Sequence, residues 1–281
     1  MKLIIDSCAD ISLERANELN VDMQPLTIQI DDKSYIDQIE ITSEEVIQAI
    51  KDGKRPMTSQ PNPESFANIF KKYAEQNESI IYLSLSSALS GTYQSAVIAR
   101  DTIYEEYPDA DITLIDTSAV SYGLGLIVER ASGYLAQGDG KDTIISKVKN
   151  DMSHIRHLFT VNDLNYLAEG GRLSKGSAFL GGLLNIKPLL HVEDGKLVPL
   201  EKHRGLKKVF KRMNELAKTE GASGTGHIVH ADAEKLANNL KEQLLENTDL
   251  ETIHITGIGP TISSHTGDGT IALFYFKEDE K

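Results

Sequence analysis

An unbroken apolar run, Ile80-Ile81-Tyr82-Leu83, passes straight into Ser84–Ala96, SLSSALSGTYQSA. Four successive apolar residues read as a strand buried on both faces. Tyr93–Glu106 then reads as a helix. A doubly buried strand followed at once by a helix belongs to a parallel sheet covered by helices. The junction holds Ser84, Ser86, Ser87, Ser90, Gly91 and Thr92. Hydroxyls therefore converge on a helix start, where backbone N–H groups have no intrahelical acceptor. Such a corner suits an anionic head group, because the helix dipole favours negative charge there. A serine-rich cap without a ligand is the simpler alternative.

The rest of the chain repeats this alternation as far as His154. Lys2–Ile5 reads as a strand and Ile11–Leu19 as a helix capped near Ser12. Met23–Ile30 and Ser34–Ile39 read as two strands joined at Asp31-Asp32-Lys33, a hairpin outside the main sheet. Ser43–Asp52 reads as a helix capped by Ser43, with Val46, Ile47 and Ile50 on one face. In Arg55–Pro63 three prolines argue against a regular element, which puts Thr58 and Ser59 on a stiff loop. Glu64–Glu75 resumes as a helix with Phe66, Ile69, Phe70 and Tyr73 at helical spacing. Ile112–Ile115 reads as a strand; Gly123–Leu135 and Thr143–His154 read as helices.

The order then changes. Leu158–Val161 is a strand, Asp163–Glu169 a short helix, and Gly170-Gly171-Arg172 a tight turn. Phe179–Leu184 reads as a small-residue helix. Leu189–Val192 and Lys196–Leu200 form a hairpin across Glu193-Asp194-Gly195. Leu206–Glu220 and Ala233–Glu246 are helices; Gly226–His230, Thr252–Thr256 and Ile271–Phe276 are strands. The expected fold is α/β: a three-layer α/β/α domain with a parallel sheet over residues 1–155, carrying the hairpin near 23–40, and a two-layer α+β domain over residues 156–281.

Composition excludes several functions. Formal net charge is −13, from 29 Lys and Arg against 42 Asp and Glu. That argues against nucleic acid, whose phosphates need basic neutralisation, and against general adsorption to anionic membranes. No stretch reaches 18 apolar residues and the N-terminus is too weakly apolar for a signal peptide, so stable membrane insertion is not expected and a cytoplasmic location is. Cys8 is the single cysteine. It reads as a small packed residue, and neither an intrachain disulfide nor a cysteine-based zinc site is possible.

Four constellations remain. Phosphate-binding loops fail on spacing: Gly257-Ile258-Gly259-Pro260 and Gly267-Asp268-Gly269 do not make a dinucleotide fingerprint. His154 and His157, three apart with Asp163 following, read as exposed histidines rather than metal ligands, since a second ligand cluster is missing. Ser90 as nucleophile with His265 as base would make a serine hydrolase, but Ala88-Leu89-Ser90-Gly91-Thr92 lacks the first glycine of the nucleophile elbow. His265 itself sits in a Ser/Thr/Gly-rich stretch, read as a loop between strands, where it can donate to a carboxylate. Finally, Lys202–Arg212, KHRGLKKVFKR, concentrates positive charge in an acidic chain. Arg204, Lys207, Lys208 and Lys211 share one helical face, opposite Leu206, Val209, Phe210 and Met213. That face suits either solvent or an acidic partner, and Arg172 is a second candidate for the same surface.

Taken in order, Asp6-Ser7, Tyr35-Ile36-Asp37, Thr58-Ser59-Gln60-Pro61 and the LSGTYQSA core of Leu85–Ala96 form a recognisable set. Gly170-Gly171-Arg172-Leu173, Asn185-Ile186-Lys187-Pro188, Lys202-His203-Arg204-Gly205 and His265-Thr266-Gly267 complete it. Over essentially its whole length the chain resembles the DegV family, the fatty-acid-binding subunit (FakB) of bacterial fatty acid kinase. The resemblance implies one buried long-chain fatty acid, no cofactor, and a separate ATP-binding kinase subunit that converts the presented carboxylate to an acyl-phosphate for phospholipid synthesis. By matching motif, Thr58, Ser90 and His265 would hold the carboxylate, and Arg172 and Arg204 would engage the kinase. Asp268 departs from the family pattern, where proline is usual, and Ser263 stands where glycine is frequent; the Asp268 carboxylate is expected to face outward. The other readings are the hydrolase above and a carboxylate-binding regulator without a kinase partner.

The energetics divide the labour. Burying roughly 14 methylenes at about 0.8 kcal/mol each contributes on the order of 11 kcal/mol. Hydroxyl hydrogen bonds add about 1–3 kcal/mol. The tail supplies affinity and the corner orientation, so an acidic protein can hold an anion while its distant charges are screened beyond ~8–10 Å. Phe66, Phe70, Phe159, Leu180, Leu183, Leu184, Ile186 and Leu190 are the candidate tail-lining residues.

Overall fold

The computed structural model describes residues 1–174 and 185–278. In chain order its strands are β1 (Lys2–Asp6), β2 (Val21–Gln24), β3 (Thr27–Ile30), β4 (Lys33–Ile36), β5 (Met57–Ser59), β6 (Ile80–Ser84), β7 (Ile112–Asp116), β8 (Ile155–Thr160), β9 (Ile186–Glu193), β10 (Lys196–Arg204), β11 (Ser223–His230), β12 (Asp249–Gly257) and β13 (Ile271–Phe276). Its helices are α1 (Leu13–Glu18), α2 (Ser43–Lys51), α3 (Pro63–Ala74), α4 (Thr92–Glu106), α5 (Tyr122–Ala136), α6 (Lys141–His154), α7 (Leu164–Glu169), α8 (Leu206–Thr219), α9 (Glu234–Asn247) and α10 (Pro260–Thr266).

Three sheets result. The first is parallel, ordered β2-β1-β6-β7; the second is mixed and mostly antiparallel, ordered β10-β9-β8-β13-β11-β12; the third is small, ordered β4-β3-β5. Alternation along the parallel strands explains their layers. Ile4, Ile80 and Tyr82 point to one face and pack with Phe66 and Phe70 of α3 and Ala96 and Ile103 of α4. Leu3, Ile5, Ile81 and Leu83 point to the other, toward α1 and α5. The mixed sheet buries Leu158, Leu189, Ile228, Ile271 and Leu273 beneath α8 and α9. Its opposite face, including Phe159, Leu190, Ala272 and Phe274, joins the same core as α5. The parallel-sheet unit with helices on both faces and the separate, mostly antiparallel sheet are those expected, and α5 serves both.

Several local expectations change. Met23–Ile30 is not one strand: Pro25 lacks the N–H a central strand needs, so β2 joins the parallel sheet and β3 the small one. Arg55–Pro63 does contain a strand. β5 fits between Pro56 and Pro61 and pairs with β3 at Gln29↔Met57 and Ile28↔Thr58, so neither proline needs to donate within it. Thr42, not Ser43, caps α2: its side chain accepts from the Glu45 N–H while Glu45 accepts from the Thr42 N–H, a reciprocal capping box. The expected loop around His265 is α10, which has Pro260 at its start, a position where the missing N–H costs nothing. The Phe179–Leu184 segment lies outside the described residues.

Candidate functional site

Two buried aspartates brace the segments that carry the site. The Asp6 carboxylate, at the end of β1, accepts from the Tyr82 hydroxyl at 2.8 Å, the Leu85 N–H at 2.9 Å and the Cys8 N–H at 3.1 Å. It thereby fixes the start of the serine-rich stretch after β6. Burial outweighs these bonds and pushes its pKa up to about 6. Asp37 accepts from the Ser7 and Thr261 hydroxyls, each at 2.6 Å. That second bond pins α10, late in the chain, to the first β-strand and the small sheet.

The three residues singled out for carboxylate contact meet on the wall of one cavity. Thr58 is on β5, Ser90 lies two residues before α4, and His265 is on α10. Thr58 Oγ1 and His265 Nε2 are 2.7 Å apart. Ser90 Oγ lies 2.9 Å from Thr92 Oγ1 and accepts from the Thr92 N–H at 3.3 Å. Gly91 allows the motifs to approach: a Cβ there would sit 2.2 Å from the Gln60 side-chain oxygen, while Gln60 donates to Ser95 at 2.9 Å. Burial first, then the charges of Arg172 and Arg55, push the His265 pKa down to about 4. Near neutral pH the ring is therefore uncharged and offers one N–H and one acceptor.

The cavity opens between the parallel and mixed sheets, and its walls are mainly apolar. Leu26, Leu85, Leu89 and Val120 line it from the first sheet's side, Ile258 and Ile262 from the α10 segment, and Phe159, Val192, Leu197, Ala272 and Phe274 from the mixed sheet. Cys8 also lines it, and burial raises its thiol pKa, so it packs as an apolar group.

Of the expected tail-lining residues, Phe159 is on the wall. Phe66 and Phe70 are not; they fill the core on the far side of the parallel sheet, because α3 faces away from the cavity. Leu190 is buried in the shared core and Ile186 is half-buried on β9, both off the cavity wall. Leu180, Leu183 and Leu184 lie outside the described residues. His157 is not exposed: it is buried on the cavity wall, its Nε2 accepting from the Val120 N–H at 3.4 Å. Asp268 is absent from the described lining.

The two arginines stand apart. Arg172 lines the cavity and folds back, donating to the Gly170 carbonyl at 2.7 Å and the Leu89 carbonyl at 3.4 Å. Its neighbour Leu173 bridges Leu197 near the start of β10, whereas Arg204 is exposed at the end of that strand. Seven residues of strand separate those two rows, about 23 Å. On α8, Val209, Phe210 and Met213 are buried as read, and Arg212 pairs with Glu201 at 2.8 Å. Thr261 and Ile262 escaped the sequence reading; Gly-Pro followed by hydroxyl residues was the available signal of a helix start.

Fold and cavity together define an α/β protein with an apolar cavity between its two larger sheets and hydroxyls gathered on one wall. Comparison with known proteins makes this specific. The chain belongs to the DegV family: that family's model, described as "uncharacterised protein, DegV family", matches residues 1–278. A DegV domain-containing protein of Streptococcus pyogenes serotype M1 is 38% identical over 284 residues, with 99% of each chain covered. A DegV family protein from Thermus thermophilus, solved for its fatty acid binding, has a TM-score of 0.89 at 31% identity over 99% of each chain. A stearic-acid-binding protein from Eubacterium ventriosum has a TM-score of 0.89 at 26% identity over 98% of each. Among the described residues, no helix is long and apolar enough to cross a membrane and no group of three or more His, Cys, Asp or Glu is placed to hold a metal.

Proposed function

We propose that the protein is a cytoplasmic carrier that binds one long-chain fatty acid and presents its carboxylate to a separate fatty acid kinase subunit. The observation that carries this reading is the apolar cavity with Thr58, Ser90 and His265 gathered on its wall. In this reading the acyl chain lies along Phe159, Ala272 and Phe274, and the three polar side chains bond the acid end. Neutral His265 donates one N–H to the carboxylate, and Arg172 adds attraction from beside it. The fatty acids bound by the Thermus and Eubacterium relatives support the ligand class. The kinase role rests on the family resemblance, with Arg172 and exposed Arg204 as the contacts for that subunit; the carrier itself needs no cofactor.

The geometry favours this over hydrolysis. Thr58, not Ser90, meets His265, and the charges acting on His265 are arginines rather than an orienting carboxylate. Native mass spectrometry of the purified protein is expected to show a co-purified fatty acid; protein free of lipid after addition of fatty acid overturns the proposal. With ATP and the kinase subunit, Ser90→Ala is expected to lower acyl-phosphate formation while the fold persists. Turnover equal to wild type counts against the assigned corner. Fatty acid binding without any kinase capture leaves the regulator reading in its place.

A further inference from the structure

The cavity runs along two adjacent strands, and their register gives it a direction. Thr270, just before β13, bonds the Thr266 and Gly267 carbonyls at 3.1 Å, beside His265. From there Ala272 and Phe274 follow on the cavity face, opposite Phe159 and His157 of β8. Four residues of strand carry the wall about 13 Å away from the α10 end. The Leu158↔His191 pairing places Val192 of β9 one step further along, beside His157.

At this end of the wall, remote from His265, stand His157 and Val192. Both also line a second cleft, whose other walls include Arg156, Asp194, Glu220 and Lys277. These two side chains thus stand between the apolar cavity and a solvent-open cleft with charged walls. The His157 ring is held firmly. Its Nε2 accepts from Val120, its edge meets Phe274 with centroids 5.4 Å apart, and α5 leaves it room only because residue 123 is glycine; a Cβ there would lie 2.0 Å from Nε2. Burial pushes its pKa down to about 3, so the ring is neutral and compatible with a hydrocarbon end.

We infer that His157 and Val192 are the stop at the tail end of the acyl site and set the longest fatty acid the protein accepts. This rests on the fatty-acid reading above. A chain short of the wall gains about 0.8 kcal/mol per added methylene, roughly a fourfold gain in affinity each. A methylene forced past the wall enters the charged cleft and gains nothing.

Competitive displacement of a fluorescent fatty acid by saturated acids of roughly 12 to 22 carbons tests this. For wild type, affinity is expected to climb with length and then break. His157→Ala is expected to move the break to acids longer by roughly two methylenes, and Val192→Phe to shorter ones by a similar amount. A break at the wild-type length in both variants, or no break in wild type, overturns the inference and leaves the fatty-acid reading intact. Failure of wild type to bind any acid in the series sinks that reading, and the inference with it. If His157→Ala does not fold, Val192→Phe decides alone.

Discussion

The two faces of the parallel sheet are built from interleaved residues of the same strands, yet they do different things. On one, Ile4, Ile80 and Tyr82 meet Phe66 and Phe70, which are fully buried; the Phe66 and Tyr82 ring centroids are 5.1 Å apart. On the other, Leu85 and Leu89 beyond β6 face Phe159 and Phe274 across open space. The difference lies in what covers each face. Two helices close the first, α3 with large aromatic side chains and α4 with mostly small ones. A second sheet stands opposite the second, and α5, with Gly123 and Gly125 in its first turn, covers only part of it. Hydrophobicity is nearly equal; fit is not.

Substitutions at the two faces should separate on that basis. Phe70→Ala empties a filled core and is expected to cost about 3–5 kcal/mol in denaturant unfolding, with the bound-acid profile of the remaining folded protein unchanged. Phe159→Ala enlarges an existing space and is expected to destabilise less, while weakening fatty acid binding. Equal stability losses with no change in binding would erase the contrast.

A pH series probes burial next to the cavity-lining Ser121. Asp10 lies under the Ser121 hydroxyl, and burial pushes its pKa up to about 8, with the nearby Asp37 charge adding to the effect. Its folded-state pKa thus exceeds its unfolded value of about 4, so the stability it contributes is full below about pH 4 and is lost as pH rises to about 8. Asp10→Asn is expected to gain on wild type in unfolding free energy across that window, by urea denaturation at several pH values. A difference independent of pH would refute the buried, neutral carboxyl.

The smallest effect is expected where solvent is closest. Ser90→Ala, with Thr58→Ala as its partner, should each weaken fatty acid binding by about 1–3 kcal/mol. Binding of the corresponding fatty alcohol should change less, by calorimetry. An identical loss for acid and alcohol would move the acid end away from this corner.

Much of this was legible in the sequence where local pattern and global fold agree. β6 and β13 are apolar at nearly every position, and the Asp194-Gly195 turn declares its hairpin. β5 was hidden because its three residues acquire strand geometry only by pairing with β3. α10 was hidden because Thr-Ile-Ser-Ser-His-Thr contains poor helix formers; its packing and the Asp37 bond hold it. Thr58, Ser90 and His265 were individually visible as polar residues in tight segments. Their meeting was not, since residues 32 or more apart carry no mutual signal in pattern alone. Phe66 and Phe159 are both aromatic residues on apolar faces, and only the opposing layer distinguishes core from cavity.

The Thr58–His265 hydrogen bond joins side chains 207 positions apart. During synthesis, β5 and the Ser90 turn leave the ribosome long before α10 exists. A nascent chain can finish its parallel sheet and still have an open, half-built pocket. Only when α10 docks does the protein gain a complete grip on a ligand, so competence for cargo waits until that helix has been made.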